Sequence, residues 1–243
     1  MSMYYESKRR SVIKTISWRF FATLDTTLIV FILTGKLLLA VSVSGIEIVT
    51  KIALYFFHER AWNKINFGRR TIQPFVLWFT GLPGAGKSTL AARTTEYLRK
   101  KGLQVQQLDG DKIRAIFPDT GFTREERDRH IQRVGYLASM LEQNNVIVIA
   151  ALISPYEATR RAVRGLCRNF VEVYVDTPLT VCEERDPKHL YRRARAGEID
   201  HFTGIDDPYE IPRDPEFRIN TENKSVEESF QDIKKFLSKY TDT

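Results

Sequence analysis

Short apolar runs alternate with helical periods along the last two thirds of this chain. The run at 146–151 contains no polar residue, which is typical of a strand buried on both faces of a parallel sheet. Further strands are predicted at 75–79, 105–108 and 170–175, with a last edge strand at 217–220. Apolar residues recur every three or four positions in four segments, which are predicted to be helices: 89–101, 125–143, 155–167 and 225–240. This alternation predicts an α/β fold, a parallel sheet with helices on both faces.

The first 70 residues follow a different pattern, with two long apolar runs. The second run, 37–57, can cross a bilayer as a helix, which needs about 20 residues. The first, 20–34, becomes long enough when Ile13, Ile16 and Trp18 are added, and Gly35-Lys36 is the turn between the runs. We expect a two-helix transmembrane hairpin that contacts the lipid bilayer through residues 12–62. The alternative is a soluble or interfacial hairpin that lies on anionic lipid.

Charge divides the chain at the same place. Residues 1–70 hold 11 Lys and Arg and 4 Asp and Glu, a net charge of +7, whereas residues 71–243 hold 26 of each kind. We therefore predict two domains, 1–70 and 71–243, and no nucleic-acid face on the second. Basic residues flank both outer ends of the hairpin, so both termini and the second domain should face the cytoplasm, with the protein multi-pass in the inner membrane. Charges within the apolar runs would suit a homodimer, because isolated charges are unfavourable in lipid: Asp25, Glu47 and Lys51.

The clearest chemical pattern stands between the first predicted strand and the helix after it: Gly81, Leu82, Pro83, Gly84, Ala85, Gly86, Lys87, Ser88 and Thr89. Glycines let the backbone turn its N–H groups inward around anionic oxygens, and a helix N-terminus adds a favourable dipole. Lys87 can reach the β- and γ-phosphates, and the Ser88 hydroxyl can bind Mg²⁺. A chance glycine-rich turn is the alternative, but the strand before and the helix after favour a phosphate-binding loop. We predict that the chain binds a nucleoside triphosphate with Mg²⁺.

Other polar residues follow the ends of neighbouring strands, where ligands bind in open parallel sheets. Asp109 and Asp111 follow the second strand, and either carboxylate could hold Mg²⁺ or, for Asp111, accept a hydroxyl proton. Helix capping is the alternative for both. Arg114 lies on the same helical side as Asp111 and could clamp an anionic acceptor, and Ser154 follows the third strand.

The polar segment 186–213 is too long for an ordinary connection, and such segments are often lids. Its cations could neutralise charge on a transferring group, or could form a solvated basic face: Lys188, Arg192, Arg193 and Arg195. The four His residues have no metal-ligand spacing. Cys167 and Cys182 have no Cys-x-x-Cys spacing, and we expect buried thiols in a reducing compartment.

Residues 75–240 resemble adenylylsulfate kinases, which transfer the γ-phosphate of ATP to the 3′-hydroxyl of adenosine 5′-phosphosulfate. The matching stretches include the phosphate loop, the aspartate pair and a long run through the lid: 81–89, 108–111 with Arg114, 121–122 with Arg127, 153–156, 170–173, 176–178, 182–183, 185–188, 190–191, 194–199, 202–206 and 208–210. Residues 8–70 resemble an uncharacterised family of two-helix bacterial membrane domains, through 14–19, 23–26, 34–35, 45–47 and 58–62. That second resemblance implies membrane residence and no activity.

The kinase resemblance implies roles for single residues. Asp111 is the base or metal-side carboxylate, Arg114 and Arg127 hold the phosphosulfate, and Phe122 and Phe202 sandwich the acceptor adenine. Ser154 matches a serine described in the family as a phosphoserine intermediate, although direct in-line transfer is favoured by the chemistry. Ile153 and Lys188 complete the acceptor-binding residues. Lys87 and Arg195 join Asp111 and Ser154 as the catalytic residues. Two departures from the family pattern fall on the acceptor side, where His130-Ile131-Gln132-Arg133 replaces Asn-Ile-Arg-Arg and Lys112 replaces Asn.

The sequence thus predicts a membrane-anchored ATP-dependent kinase of adenosine 5′-phosphosulfate with a P-loop fold and a lid. One alternative is a P-loop kinase for another small anionic acceptor, such as a nucleotide or a sugar derivative. The other is a nucleotide-gated membrane protein in which the P-loop domain regulates the hairpin.

Overall fold

The structure, a computed structural model, describes residues 8–64, 72–117 and 121–241. The chain divides into two compact units, Met1–Arg69 and Arg70–Thr243. The predicted boundary at residues 70 and 71, with the basic residues before it, lies outside the described residues. So do Pro118, Asp119 and Thr120 and the side chains of Trp18 and Trp62.

The first unit contains two helices, α1 (Lys8–Thr34) and α2 (Leu37–Lys64). Gly35 turns the chain between them with φ +66°. Thr27 and Ser44 join the helices through a 2.7 Å hydrogen bond between their hydroxyls, and Glu47 forms an ion pair with Lys51, as their spacing predicts. Among the described residues, Leu37–Phe57 is one helical segment with the length and composition to cross a membrane, and Ala22–Thr34 is a shorter apolar helix.

The second unit is built on five parallel strands in the order β2-β3-β1-β4-β5. The strands are β1 (Val76–Thr80), β2 (Val105–Asp109), β3 (Ile147–Ala151), β4 (Phe170–Val175) and β5 (Phe217–Ile219). The sheet confirms the predicted parallel fold, and its first three strands, β2, β3 and β1, end at one edge.

Helices cover both faces of this sheet because alternate strand residues point to opposite sides. Leu77 and Phe79 pack in one core cluster with α3 (Lys87–Lys100) and α9 (Val226–Thr241). Val76 and Trp78 pack in the other with α5 (Arg124–Gln143) and α6 (Glu157–Leu166). Glycine is needed where α5 meets α6, since a Cβ on Gly135 would lie 2.5 Å from the Val163 side chain.

Three short helices were not predicted from the spacing of apolar residues: α4 (Gly110–Ile116), α7 (Leu179–Arg185) and α8 (Leu190–Arg195). Six or seven residues are too few for a period of 3.6 to be recognised. The predicted helix at 155–167 begins later, at Glu157, so that Pro155 precedes it. The predicted lid, 186–213, includes α8 and is packed against the rest of the unit, with Tyr191, Phe202 and Thr203 buried.

Candidate active site

The loop after β1 has the backbone that its glycines predict. Gly81 and Gly84 have φ +149° and +74°, and a Cβ on either would meet a backbone oxygen, that of Val175 at 2.6 Å or Cys182 at 2.9 Å. Any side chain would therefore push the loop away from β4 and α7. Gly86 then caps α3, so the helix N-terminus follows the loop directly.

Lys87 is held inside this loop. Its Nζ donates to the carbonyls of Gly81 at 2.9 Å and Leu82 at 2.7 Å. Burial lowers the pKa of Lys87 to about 8, against opposing contributions from Cys182 and Asp111. An anion in the loop would favour the charged ammonium and raise that pKa again. The loop is therefore arranged for phosphate.

A cavity of about 500 Å³ opens beside the loop at the carboxyl ends of β1, β2 and β3. The predicted site residues that line it come from five segments: Pro83, Gly84, Gly86, Lys87, Ser88, Thr89, Asp109, Asp111, Arg114, Arg127, Ile153, Ser154 and Lys188. The structure thus brings the phosphate loop, the aspartate pair and most of the predicted acceptor side around one space.

The two aspartates after β2 differ in what they contact. Asp109 caps α4, because its Oδ1 accepts from the backbone N–H groups of Asp111 at 3.1 Å and Lys112 at 3.3 Å. The Asp111 carboxylate instead forms an ion pair with Lys188 of the lid. A lid cation therefore meets a cavity carboxylate in the structure.

No group of three His, Cys, Asp or Glu side chains is placed to hold a metal ion in the described part of the chain. Magnesium in kinase sites is bound by one or two carboxylates together with substrate phosphates and water. Ser88, Asp109 and Asp111 all line the cavity, so the donor set fits such a nucleotide-bound ion.

Arg127 and Arg114 anchor the segment before α5. Arg127 is buried, and its guanidinium donates to the Phe122 carbonyl at 2.8 Å, the Thr203 hydroxyl at 2.7 Å and the His201 carbonyl. Arg114 donates to the Gly121 carbonyl at 2.8 Å and lies 4.8 Å from the Phe122 ring centre. Arg127 therefore links α5 to the lid.

Outside the phosphate loop, three predicted site residues do not line the cavity. Phe202 packs in the core against Tyr191, with ring centres 5.0 Å apart, because a turn closed by the Asp206 carboxylate fixes its backbone. Phe122 is 53% exposed. Arg195 pairs with Glu183 at 2.6 Å. The structure does not bring the two phenylalanine rings together across the cavity.

Ser154 lies in the cavity wall but is almost inaccessible. It is 1% exposed, with φ +40°. Its Oγ accepts from Trp78 Nε1 at 3.1 Å and donates to Thr80 Oγ1 at 2.9 Å. Sequence reasoning did not identify Trp78 or Thr80 as its partners, since both lie more than 70 positions away.

His130 also lines the cavity, and the sequence assigned it no chemical role. It is 2% exposed, and no hydrogen bond of normal geometry reaches either ring nitrogen. Burial lowers its pKa to about 4, with Arg114 and Arg133 adding to that effect and the Gly110 backbone opposing it. The signal available in the sequence was a polar residue on the apolar face of a predicted helix.

The central strand of the parallel sheet leads into a glycine loop that holds a buried lysine. A cation of the lid pairs with a carboxylate of the cavity. Together these features define a P-loop kinase fold. The family model described as adenylylsulphate kinase matches residues 73–220. The chain belongs to the adenylylsulphate kinase family.

Individual relatives agree with this assignment. The chain is 51% identical over 160 residues to the "Probable adenylyl-sulfate kinase" of Pseudomonas aeruginosa. The aligned residues cover 65% of this chain and 75% of the relative. It is 48% identical over 163 residues to the adenylyl-sulfate kinase of Halothermothrix orenii, covering 67% and 88%. The Mycobacterium tuberculosis APS kinase CysC in complex with AMPPNP and APS aligns with a TM-score of 0.66 at 38% identity, over 69% of this chain and 99% of that one.

A second family model matches the first unit. It is described as "Predicted membrane protein (DUF2061)" and covers residues 12–63. The chain therefore joins a kinase to a membrane-protein domain.

Proposed function

We propose that the chain transfers the γ-phosphate of ATP to the 3′-hydroxyl of adenosine 5′-phosphosulfate, giving ADP and 3′-phosphoadenylyl sulfate for sulfate assimilation. The observation that carries this proposal is that the phosphate loop shares one cavity with Asp111, Arg114 and Lys188. Both a triphosphate and an anionic acceptor find cations there. The relatives named above are kinases of this kind, and one was solved with AMPPNP and APS.

The donor half of the site binds ATP through the loop 81–89. Backbone N–H groups and Lys87 hold the phosphates, and Ser88, Asp109 and Asp111 would hold Mg²⁺, which would neutralise phosphate charge. Positioning and charge stabilisation account for most of the catalysis in such reactions, because the phosphoryl group itself needs little covalent help.

The acceptor half orients a hydroxyl for in-line attack. Asp111 accepts the proton of that hydroxyl, and Arg114, Arg127, Ile153, Ser154 and Lys188 form the surrounding wall. The buried Ser154 hydroxyl supports direct transfer over a phosphoserine route. A role for Phe122, Phe202 or Arg195 requires them to move from their observed positions toward the cavity.

The hairpin anchors the kinase to a membrane. We propose that α1 and α2 both cross the inner membrane, with both termini and the kinase in the cytoplasm, and that the chain is a homodimer. The membrane-protein family match and the apolar segment Leu37–Phe57 support the anchor. The basic outer ends of the hairpin support the orientation.

The test uses the full chain in detergent with ATP, Mg²⁺ and a panel of acceptors, with ADP release as the readout. Release that depends on adenosine 5′-phosphosulfate is expected in the wild type and lost in Lys87→Met. Release with a different nucleotide or a sugar derivative would identify a different acceptor. Other acceptors are included because His130 and Lys112 differ from the family pattern on the acceptor side. No acceptor-dependent release would favour a nucleotide-gated membrane protein.

A further inference from the structure

Arg160 of α6 lies behind the cavity wall and contacts three separate segments. It is 2% exposed. Its Nη1 donates to the Ser154 carbonyl at 2.7 Å, and its Nη2 donates to the Glu210 carbonyl at 2.6 Å. Its Nε lies 2.9 Å from the Glu172 carboxylate of β4, an ionic contact without hydrogen-bond alignment. One guanidinium thus joins the loop after β3, the end of the lid and β4.

The two loops that Arg160 joins also bond to each other. The Glu210 N–H donates to the Pro155 carbonyl at 2.9 Å, and the Glu157 N–H donates to the Glu210 carboxylate at 2.7 Å. The next residue back, Tyr209, shares a 2.9 Å hydrogen bond with Thr80. The end of the lid is therefore fixed against the segment that carries Ser154.

Ser154 needs such support. Its φ of +40° is uncommon for a residue with a side chain, and such a conformation persists when the surrounding contacts determine it. The Arg160 bond to the Ser154 carbonyl acts directly on this strained backbone. Ile153, Ser154 and Pro155 all line the cavity, so a shift here would change its acceptor side.

Only arginine can make these contacts together. Its planar group carries donors in three fixed directions, whereas a lysine ammonium reaches one point. Arg164, one turn later, lies 3.3 Å from the same Glu172 carboxylate and also pairs with Glu216. No hydrogen bond joins Arg164 to residues 153–156 or 207–211 in the described chain, so the two arginines share an ion cluster and differ in their contact with the site.

We propose that Arg160 is a positioning residue, which fixes the Ser154 wall of the cavity to the end of the lid and so sets the geometry of the acceptor side. This inference rests on the proposed kinase function. Arg160 touches no reacting group, and its effect reaches the acceptor through the Ser154 and Glu210 backbones.

The first test compares Arg160→Lys with its matched control, Arg164→Lys, in the full chain in detergent. Both keep a positive charge near Glu172. Arg160→Lys should raise the KM for adenosine 5′-phosphosulfate about tenfold and lower kcat, with the KM for ATP within about twofold of wild type. Arg164→Lys should leave all three within about twofold. Wild-type kinetics in Arg160→Lys, or the same loss in both variants, would overturn the proposal.

A double variant separates positioning from stability. Arg160→Met/Glu172→Met removes both buried charges, so it should fold, and the acceptor defect should persist. Recovery of the wild-type acceptor KM would contradict a positioning role.

A readout independent of activity is hydrogen exchange of residues 153–156 and 207–211. It should speed up in both segments in Arg160→Lys and stay unchanged in Arg164→Lys. Unchanged exchange in Arg160→Lys would contradict the positioning role. If exchange changes as expected but the wild type releases no ADP with any acceptor, the proposed function alone is contradicted.

Discussion

Ser154 lies in the cavity wall, but its hydroxyl is buried. The hydroxyl is occupied by Trp78 and Thr80 on β1, the strand that leads into the phosphate loop. A nucleophile would need access to the γ-phosphate, and a 1% exposed side chain lacks it. The structure therefore favours a structural role for Ser154 over covalent catalysis.

We therefore expect Ser154→Ala to keep turnover within about threefold of wild type. The change removes the acceptor of Trp78 Nε1, so unfolding should become easier by about 1–3 kcal/mol. Steady-state ADP release and thermal unfolding measure the two effects. Ser139→Ala is the control, since Ser139 is buried but bonds within its own helix. Complete loss of turnover with unchanged stability would instead indicate a phosphoserine route.

His130 makes folding depend on pH. Its pKa is about 4 in the folded chain, below the ordinary 6.5, so the unfolded chain binds the proton more tightly. Stability is therefore fully present above pH 6.5 and is lost as the pH falls toward 4. Between pH 7.5 and 5, the unfolding free energy of the wild type should fall by about 2 kcal/mol more than that of His130→Asn.

Denaturant unfolding followed by Trp78 fluorescence measures this difference. The background carries Trp18→Phe and Trp62→Phe, because the chain has three tryptophans. Equal pH dependence in both proteins would show that His130 is not the titrating group.

At the scale of elements, Lys188 is the cation that the described lid contributes to the cavity wall. This side chain pairs with Asp111 after β2, whereas Arg195, one helix later, pairs with Glu183. The Asp186 carboxylate holds the start of α8, accepting from Leu190 N–H at 2.8 Å and Arg192 N–H at 3.0 Å. The contacts of Asp186 thus fix the start of α8 next to Lys188.

Lys188→Met should lower kcat/KM for the acceptor at least about tenfold, because a cation facing the transferring charge is removed. Arg195→Met, the matched change on the same lid, should stay within about threefold. Kinetics at saturating ATP compare the two. A larger loss in Arg195→Met would show that the lid rotates to bring Arg195 over the phosphates.

At the scale of the whole molecule, the basic charge of the chain belongs to the membrane unit. Residues 71–243 have balanced charge and residues 1–70 carry all of the excess. A polybasic segment next to an apolar hairpin is attracted to anionic lipid and held on the cytoplasmic side. The proposed attachment and orientation therefore depend on the first unit.

The full chain should sediment with membranes and resist carbonate extraction, and a version without residues 1–70 should remain in the supernatant. Protease should digest the kinase in inverted inner-membrane vesicles and spare it in right-side-out spheroplasts. Release by carbonate would favour an interfacial hairpin. Digestion in spheroplasts would reverse the proposed orientation.

The sequence by itself determined the features that depend on neighbouring residues. The phosphate loop is set by its own glycines and by the strand and helix that flank it, so its position and use could be predicted. The strands β1, β3 and β4 were equally clear, because strands buried on both faces are mostly apolar. The short helices α7 and α8 carried no such local signal, and α4 was indicated only by its capping aspartate and by the spacing of Asp111 and Arg114.

Only the tertiary structure decided which side chains meet. Asp109 and Asp111 look alike in the sequence, yet one caps α4 and the other pairs with the lid. Phe202 looks like a stacking residue and packs in the core. Arg160 looks like one of several surface arginines and joins three buried segments. The sequence shows that a charged or aromatic side chain can interact. Which partner it contacts depends on packing between segments that lie far apart in the chain.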